Sequence, residues 1–317
     1  MTSGDLIIHE RHASLKRFGE ILVKITDGYD DDMRSPTYSP TVRRRRLGME
    51  LRRFRETVGL TGTEAATLAG MSRAALGKIE TAETRKVPLR QVDALIKAYD
   101  ISPDQGEALR QLARDAGERG WWWRYRDIFG SGSLPDFEAE AELIQTYEIA
   151  TVPGLLQTPE YARALFRGGP LTAQEHIDHQ VDARMTRQEI LHRHDRAPRL
   201  WAVIDEAALR RPIGGAEVMR GQLDYLVRIG QSANIDIQVL PLAVGAHPGL
   251  GVAFTVLHFA EPLDPTIVYT DSIGSGLFEE DPDAVAQYSA TFSHVQAAAS
   301  NTVVSAQFIE GIRDESD

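Results

Sequence analysis

Two long basic side chains on a short predicted helix have the chemistry to contact a polyanion. Arg73 and Lys78 lie in the segment SRAALGKIE, residues 72–80, in which Leu76 and Ile79 have the spacing of buried helix positions. The exposed face would then carry Ser72, Arg73, Ala74, Ala75 and Lys78. A guanidinium can bind a guanine edge through two hydrogen bonds, and either cation can bind a phosphate. We predict that Arg73 reads a base edge and that Lys78 reaches a base or a phosphate.

Five short helices are predicted around this segment, and they would hold it in place. Apolar residues recur with helical spacing in the first of these helices, at Leu47, Leu51 and Phe54. Similar patterns follow at short intervals, which is typical of a compact domain made of helices alone. We therefore predict an all-α domain over residues 41–118, preceded by residues 1–40 as an N-terminal extension and linker.

The second and third predicted helices have clear end signals. Thr61 and Glu64 have capping-box spacing, Gly70 can adopt a left-handed turn, and Ser72 can cap the third helix. Two helices joined in this way can present residues at the start of the second one to a DNA groove. The predicted DNA contacts are Arg43, Arg44, Arg45, Arg46, Thr63, Ser72, Arg73, Ala74, Lys78, Arg85 and Lys86.

The stretch LTGTEAATLAGMSRAALGKIETAE resembles the helix-turn-helix of the XRE, or lambda-repressor-like, DNA-binding domains. The resemblance rests on Thr61 before the second helix, Gly70 in the turn, and Ile79-Glu80 at the end of the third helix. It implies a five-helix fold and double-stranded DNA as a partner. It also implies that Glu80 forms a structural ion pair with Arg55 of the first helix.

Several small residues depart from the pattern of that family. Gly62 stands where Gln is frequent at the head of the second helix, and Ala82 stands where a Gly usually ends the third helix. The third helix itself carries Ala74, Ala75 and Gly77, which leave few side chains for base contacts. We therefore expect a homodimer that gains specificity by reading two half-sites.

The basic character of the chain is confined to this region. The net charge is −11, yet residues 41–120 carry 16 Lys or Arg against 11 Asp or Glu, whereas residues 121–317 carry 14 against 28. This asymmetry is typical of a nucleic-acid-binding module joined to a body with another role. The chain has no cysteine, and no apolar run approaches the roughly 18 residues of a membrane span. We expect a cytoplasmic protein with no membrane partner.

Beyond residue 119 the pattern changes from helices alone to helices followed by strands. Helical spacing fills residues 136–151 and several later segments. The strand-like runs are residues 199–205, 235–242, 252–259 and 266–272. Because the strands cluster late in the chain, we predict an α+β domain over residues 119–317 with a largely antiparallel sheet.

Four polar side chains of this domain are candidates for contacting a ligand or a partner. Arg184, Arg187 and Gln188 lie near one predicted helical face, where they could bind an anionic group or instead form ion pairs within the acidic domain. His247 lies in GAHPGLG, which is either a ligand-covering loop or a plain connection. The histidines lack carboxylates at ordered spacing, so we predict no metal site. No nucleophile and base stand in a recognisable arrangement, so we predict neither an enzyme nor a cofactor.

A series of motifs in this second domain includes TVPGLLQTPEYARALF (residues 151–166), VIDEAALRRPIGG (203–215) and IQVLPLAVGAHPGLGVAFTVLHF (237–259). In this order they are similar to the domain of unknown function attached to XRE domains in a large group of actinobacterial regulators. The resemblance implies a transcription regulator, antitoxin-like in some members, whose C-terminal domain binds a small protein encoded by a neighbouring gene. In the alternative, the domain senses a small molecule in a pocket between its sheet and helices.

Overall fold

The computed structural model describes residues 39–118, 120–129, 134–169, 174–260, 264–272 and 275–315. The chain divides between Trp121 and Trp122 into two compact units, called the N-terminal unit and the C-terminal unit below. Most of the predicted extension, residues 1–38, lies outside the described residues.

The described part of the N-terminal unit consists of five helices. They are α1 (Pro40–Thr57), α2 (Gly62–Leu68), α3 (Arg73–Glu80), α4 (Leu89–Ala98) and α5 (Pro103–Asp115). Thr61 and Glu64 form both hydrogen bonds of a capping box, and the hydroxyl of Ser72 accepts a hydrogen bond from the Ala75 amide. Gly70 has φ of +65°, the left-handed conformation that the turn requires. The all-helical prediction for this region is confirmed.

Close packing of α1 against α3 sets the position of α3. Leu51 of α1 and Leu76 and Ile79 of α3 are buried. A Cβ atom added to Gly48 of α1 would lie 2.5 Å from the carbonyl oxygen of Ile79 and 2.8 Å from that of Glu80. The missing side chain at residue 48 therefore lets α1 approach the backbone at the end of α3.

The C-terminal unit is built around a six-stranded sheet. Its strands are β1 (Ala141–Glu148), β2 (Arg199–Asp205), β3 (Ile235–Leu240), β4 (Phe254–Phe259), β5 (Ile267–Ser272) and β6 (Ser275–Glu279). Its helices are α6 (Arg126–Phe129), α7 (Leu134–Glu138), α8 (Pro159–Arg167), α9 (Gln174–Gln188), α10 (Glu206–Arg210), α11 (Ala216–Ile229), α12 (Pro282–Ala298) and α13 (Thr302–Glu315). Short 3-10 helices are Trp121–Tyr125, Gly154–Leu156, Glu189–His192 and Leu242–Val244.

The sheet is mixed, so the prediction of a largely antiparallel sheet was wrong. The strand order is β3-β2-β1-β4-β5-β6. Strands β1, β2 and β3 pair in parallel, whereas β1 with β4, β4 with β5, and β5 with β6 are antiparallel. The parallel half follows from the helices between its strands, because a parallel pair needs a long crossover connection. Helices α8 and α9 connect β1 to β2, and α10 and α11 connect β2 to β3.

The prediction failed chiefly at β1, which lies in the middle of the sheet. Its residues fall in the segment predicted to be helical, 136–151, where Ile144 and Tyr147 are three positions apart and fit a helix face. In the structure Ile144 and Tyr147 are both buried because they lie on opposite faces of a strand that is covered on both sides. Tyr147 belongs to a core that includes Val203, Phe292 and Val295, and the face of β1 that carries Ile144 lines a cavity.

Candidate functional site

Helices α2 and α3 form the helix-turn-helix, and the side chains of α3 divide into a buried and an exposed face. Leu76 and Ile79 are buried, while Arg73 and Lys78 are exposed. Neither cation has a hydrogen bond or an ion pair to any described residue. Because both side chains are uncommitted, they can meet an external ligand without first breaking an internal contact.

The guanidinium of Arg73 lies close to two glycines. A Cβ atom on Gly62, the first residue of α2, would collide with the Arg73 side chain, and one on Gly77 would lie 3.0 Å from its Nη1 atom. Gly62 was one of the departures from the family pattern seen in the sequence. The structure gives a reason for it, because a longer side chain at residue 62 would displace Arg73 from its position.

The other predicted DNA contacts differ in exposure. Exposed positions are Thr63, Ser72, Ala74, Arg85 and Lys86. Arg44 and Arg45 are half-buried, whereas Arg43 and Arg46 are each only 3% exposed. The four consecutive arginines of α1 therefore do not form one uniform basic surface.

The resemblance also paired Arg55 of α1 with Glu80 of α3, and these side chains are in contact. Nε of Arg55 donates to Oε1 of Glu80 at 2.6 Å, and Nη2 donates to Oε2 at 3.1 Å. The Nη1 atom donates to the carbonyl of Leu60 at 3.0 Å. The charge and hydrogen bonds of Glu80 raise the pKa of Arg55 against the opposing effect of burial. All three nitrogens of this guanidinium are occupied, so the pair joins α1 to the end of α3.

A cavity of about 810 Å³ lies against one face of the sheet in the C-terminal unit. Thr146, Thr255, Tyr269 and Phe278 form a row beneath it, since β1, β4, β5 and β6 hold them in register. The hydroxyls of Thr146 and Thr255 lie 3.1 Å apart and are buried. Helices α6, α7, α8 and α9 and residues 151–157 line the remaining sides. The cavity falls within the size range of small-molecule sites.

Two arginines of α9 line this cavity beside Gly154. Arg187 donates from Nε and Nη2 to the two carboxylate oxygens of Glu138, both at 2.7 Å. Arg184 donates from Nη1 to Oε1 of Gln157 at 2.7 Å, and its guanidinium lies 5.1 Å from the ring centre of Phe166. A Cβ atom on Gly154 would lie 2.9 Å from Nη1 of Arg184 and 3.2 Å from Nη1 of Arg187, so the two guanidinium groups converge there.

These two arginines differ in how their charge is compensated. Burial, together with the neighbouring charge of Arg187, lowers the pKa of Arg184 to about 10. Burial also acts to lower the pKa of Arg187, but the charge and hydrogen bonds of Glu138 outweigh it and raise the value. Arg184 has no ion pair with a carboxylate among the described residues. The cavity therefore contains a cation that the surrounding protein compensates incompletely.

A carboxylate at the end of β1 faces the same cavity. Glu148 is half-buried and has no hydrogen bond or ion pair within the described part of the chain. Burial raises its pKa to about 7, against the lowering effect of Arg187 and Arg184, while Asp271 adds to the increase. Strongly shifted pKa values in a cavity are typical of functional sites.

Comparison with protein-family models finds two matches. Residues 46–109 match a Helix-turn-helix domain, and residues 132–311 match a Domain of unknown function (DUF5753). The second match spans more than half of the chain. The chain belongs to the DUF5753 family. A comparison with curated proteins finds no match. Together the two domains make the chain a helix-turn-helix regulator with a C-terminal domain of unknown function.

The DUF5753 domain brings only part of the predicted ligand set together. Arg184 and Arg187 line the cavity, whereas Gln188 is buried and donates to the carbonyls of Gly154 and Gln157. His247 packs at 5.9 Å against the ring of Tyr147, on the opposite face of the sheet. Gln188 thus supports the cavity wall, and His247 lies apart from it.

The acidic side chains of the cavity were not among the predicted site residues. Glu138 and Glu148 fell in the segment that was predicted to be one helix, and Asp271 fell in a predicted strand without being proposed as a site residue. The signal that could have identified Glu148 is its charge at the end of a strand in which about half of the other residues are apolar. Across the described ranges, no three His, Asp or Glu side chains group in a way that could hold a metal, and no helix is long and apolar enough to span a membrane.

Proposed function

We propose that this regulator is a sequence-specific transcription factor of the XRE type that reads its operator with α3. The observation that carries the proposal is the pair of exposed cations, Arg73 and Lys78, on the face of α3 opposite its buried Leu76 and Ile79. Side chains near the start of a helix in the major groove reach base edges, and Arg is the usual partner of guanine. Arg73 contacts a guanine, and Lys78 contacts a base or a phosphate.

The remaining contacts position the unit on the DNA backbone. Thr63 and Ser72 can donate from their hydroxyls, and Arg85 and Lys86 supply charge beyond the end of α3. Of the four arginines in α1, the half-buried Arg44 and Arg45 are better placed for a phosphate than the buried Arg43 and Arg46. With so few base contacts in one unit, a homodimer on two half-sites supplies the specificity.

Fluorescence anisotropy with DNA from upstream of the protein's own gene tests this proposal. We expect Arg73→Ala to weaken operator binding about tenfold or more and to reduce the preference over a scrambled sequence. Lys78→Ala should weaken binding to both DNAs if it contacts a phosphate. Lys97→Ala removes an equal charge from the exposed end of α4 and serves as the control. If all three substitutions weakened DNA binding equally, α3 would contribute only its charge and would not read the sequence. That result would contradict the proposal.

The DUF5753 domain has a regulatory role in this proposal, and the cavity favours the sensing of a small molecule. Its volume, its incompletely compensated Arg184 and the shifted pKa of Glu148 are features of a ligand site. Binding a small partner protein is the second candidate, because Leu242, Leu250 and Val303 are 58–67% exposed and a partner could bury these apolar side chains. Co-purification of a small protein with the full chain, lost on replacing these three residues by Ser, would favour that candidate.

A further inference from the structure

Positive and negative side chains line the cavity, and they lie at separate places. Arg184 and Arg187 converge beside Gly154, and Arg187 is already matched by Glu138. Glu148 lies at the end of β1 and forms no ion pair with either arginine. Separated charges in a partly enclosed space lose hydration without gaining a partner, which is unfavourable unless something else compensates them.

Hydrogen-bonding atoms of the two arginines and of Glu148 are unused within the described residues. Within the described residues, Nε and Nη2 of Arg184 and Nη1 of Arg187 donate to no protein acceptor. Both oxygens of Glu148 lack a protein donor in that same part of the chain. A carboxylate can accept hydrogen bonds from two guanidinium groups, and an ammonium can donate to Glu148.

The total charge of the lining argues against a ligand of only one sign. The described lining includes the carboxylates of Asp127, Glu138, Glu148 and Asp271 against the two guanidinium groups of α9. A simple anion would add to an acidic excess, and a simple cation would leave Arg184 uncompensated. A molecule with one group of each sign satisfies both ends.

The cavity also has apolar surfaces and room for a side chain. Ile144, Phe166 and Phe278 give the cavity apolar surfaces, and a Cβ atom on Gly276 would collide with the Tyr269 ring. The volume of about 810 Å³ accommodates any single amino-acid side chain. We propose that this cavity binds a free amino acid, with its carboxylate on Arg184 and Arg187 and its ammonium on Glu148. This inference rests on the ligand-sensing role proposed above and names the class of ligand.

The state of Glu148 makes such binding depend on pH. Burial keeps its pKa near 7 although Arg184 and Arg187 face it, and Asp271 opposes ionisation. The ammonium binds the ionised form, so affinity falls as the pH decreases through this range. Between about pH 8 and about pH 6 the ionised fraction changes roughly tenfold, and the dissociation constant should increase by a similar factor.

The experiment is a thermal shift of the full chain, with Trp fluorescence as the signal, against each of the standard amino acids. A ligand at about ten times its dissociation constant should raise the Tm of the C-terminal unit by about 3 to 6 °C. Each active amino acid is compared with its N-acetyl form, which lacks the ammonium, and its amide, which lacks the carboxylate. These comparisons use the unaltered protein, so they do not depend on whether a variant folds.

We expect at least one free amino acid to raise the Tm, and both blocked forms of it to have no effect. Arg184→Met and Glu148→Gln should each weaken binding at least tenfold in calorimetric titration, whereas Arg228→Met, at an exposed arginine above Tyr225, should not. The inference is overturned if no amino acid shifts the Tm at about 10 mM, a concentration at which even millimolar binding would register. It is equally overturned if a blocked form acts as well as the free one.

This readout separates the inference from the proposed DNA-binding function. The thermal shift is measured without DNA and reports on the C-terminal unit, whose described part contains Trp201. A shift without any operator binding would leave the amino-acid site in place and remove the regulator assignment. Operator binding without a thermal shift would leave the regulator assignment in place and overturn the amino-acid site. Operator affinity that changes when the amino acid is added would join the two.

Discussion

Each unit contains an arginine held by both oxygens of a buried glutamate. The two ion pairs have different roles. Arg55 with Glu80 in the N-terminal unit and Arg187 with Glu138 in the C-terminal unit have nearly equal geometry, and their side chains are 1–13% exposed. The third nitrogen of Arg55 is taken by the carbonyl of Leu60, whereas that of Arg187 faces a cavity. The same ion pair is therefore structural where every donor is used, and it belongs to a candidate site where one donor remains open.

The largest expected effect comes from breaking the structural pair. Arg55→Met leaves the buried Glu80 carboxylate without its partner, which should cost about 3 to 5 kcal/mol of stability. Hydrogen exchange of the α3 amides measures this loss in the N-terminal unit. Arg52→Met is the matched control, because Arg52 and its partner Glu56 are 62% and 54% exposed and their pair should contribute less than about 1 kcal/mol. Comparable losses in the two variants would show that Arg55 is not the structural link.

The next effect separates the two arginines of the cavity. Arg187→Met leaves Glu138, whose side chain is only 1% exposed, as an unpaired acid and should lower the stability of the C-terminal unit by about 3 kcal/mol. Arg184→Met removes a cation that no carboxylate holds, so the main loss is its hydrogen bond to the buried Gln157, and stability should fall by only about 1 kcal/mol. Denaturant unfolding followed by Trp fluorescence compares them. If Arg184→Met proved the more destabilising, its charge would be structural and the comparison would fail.

Replacing Glu148 gives an effect whose size depends on pH. The folded protein keeps the Glu148 proton up to about pH 7, whereas an unfolded glutamate loses it near pH 4.5. Between these values the folded state binds more protons, so this residue's contribution to stability is lost as the pH rises. Glu148→Gln removes that loss and should raise stability by about 3 kcal/mol at about pH 8 while changing little at about pH 4.

The control for this pH effect is Glu142→Gln, at an exposed position of the same strand. It should leave the slope of stability against pH unchanged between about pH 5 and pH 8. Urea unfolding at several pH values, again followed by Trp fluorescence, measures both variants. A slope in Glu148→Gln equal to that of the unaltered chain would mean that Glu148 ionises in the usual range.

The features that the sequence predicted are those that depend on neighbouring residues. The capping box of Thr61 and Glu64, the turn at Gly70 and the cap at Ser72 are local chemistry, and the structure has each of them. Arg184 was a candidate because it lies near Arg187 on one helix face. These features require only a few consecutive residues to adopt one conformation.

The features that the sequence did not reveal depend on distant residues. Whether residues 141–148 are a helix or the central strand is decided by β2 and β4, which pair with them from 56 to 118 positions away. Spacing alone could not identify β1, and without β1 neither the mixed sheet nor the position of Glu148 in a cavity could be derived. The sequence does not reveal which strands pair in the tertiary structure, although the chemistry of each side chain can be read from it.

The smallest expected effect concerns the backbone that ends α3, in the same unit as the Arg55 pair. Ala82 has φ of +59°, and the Glu83 amide donates to the Lys78 carbonyl at 2.8 Å, an arrangement in which glycine is the favoured residue. Ala82→Gly should therefore stabilise the N-terminal unit by up to about 1 kcal/mol, since the left-handed conformation costs alanine about that much. Gly70→Ala, at the other positive φ next to α3, should have the opposite sign. Hydrogen exchange of α3 measures both. Because neither substitution touches Arg55 or Glu80, their effects should add to that of Arg55→Met, and a failure of additivity would mean that the ion pair and the end of α3 are one coupled element.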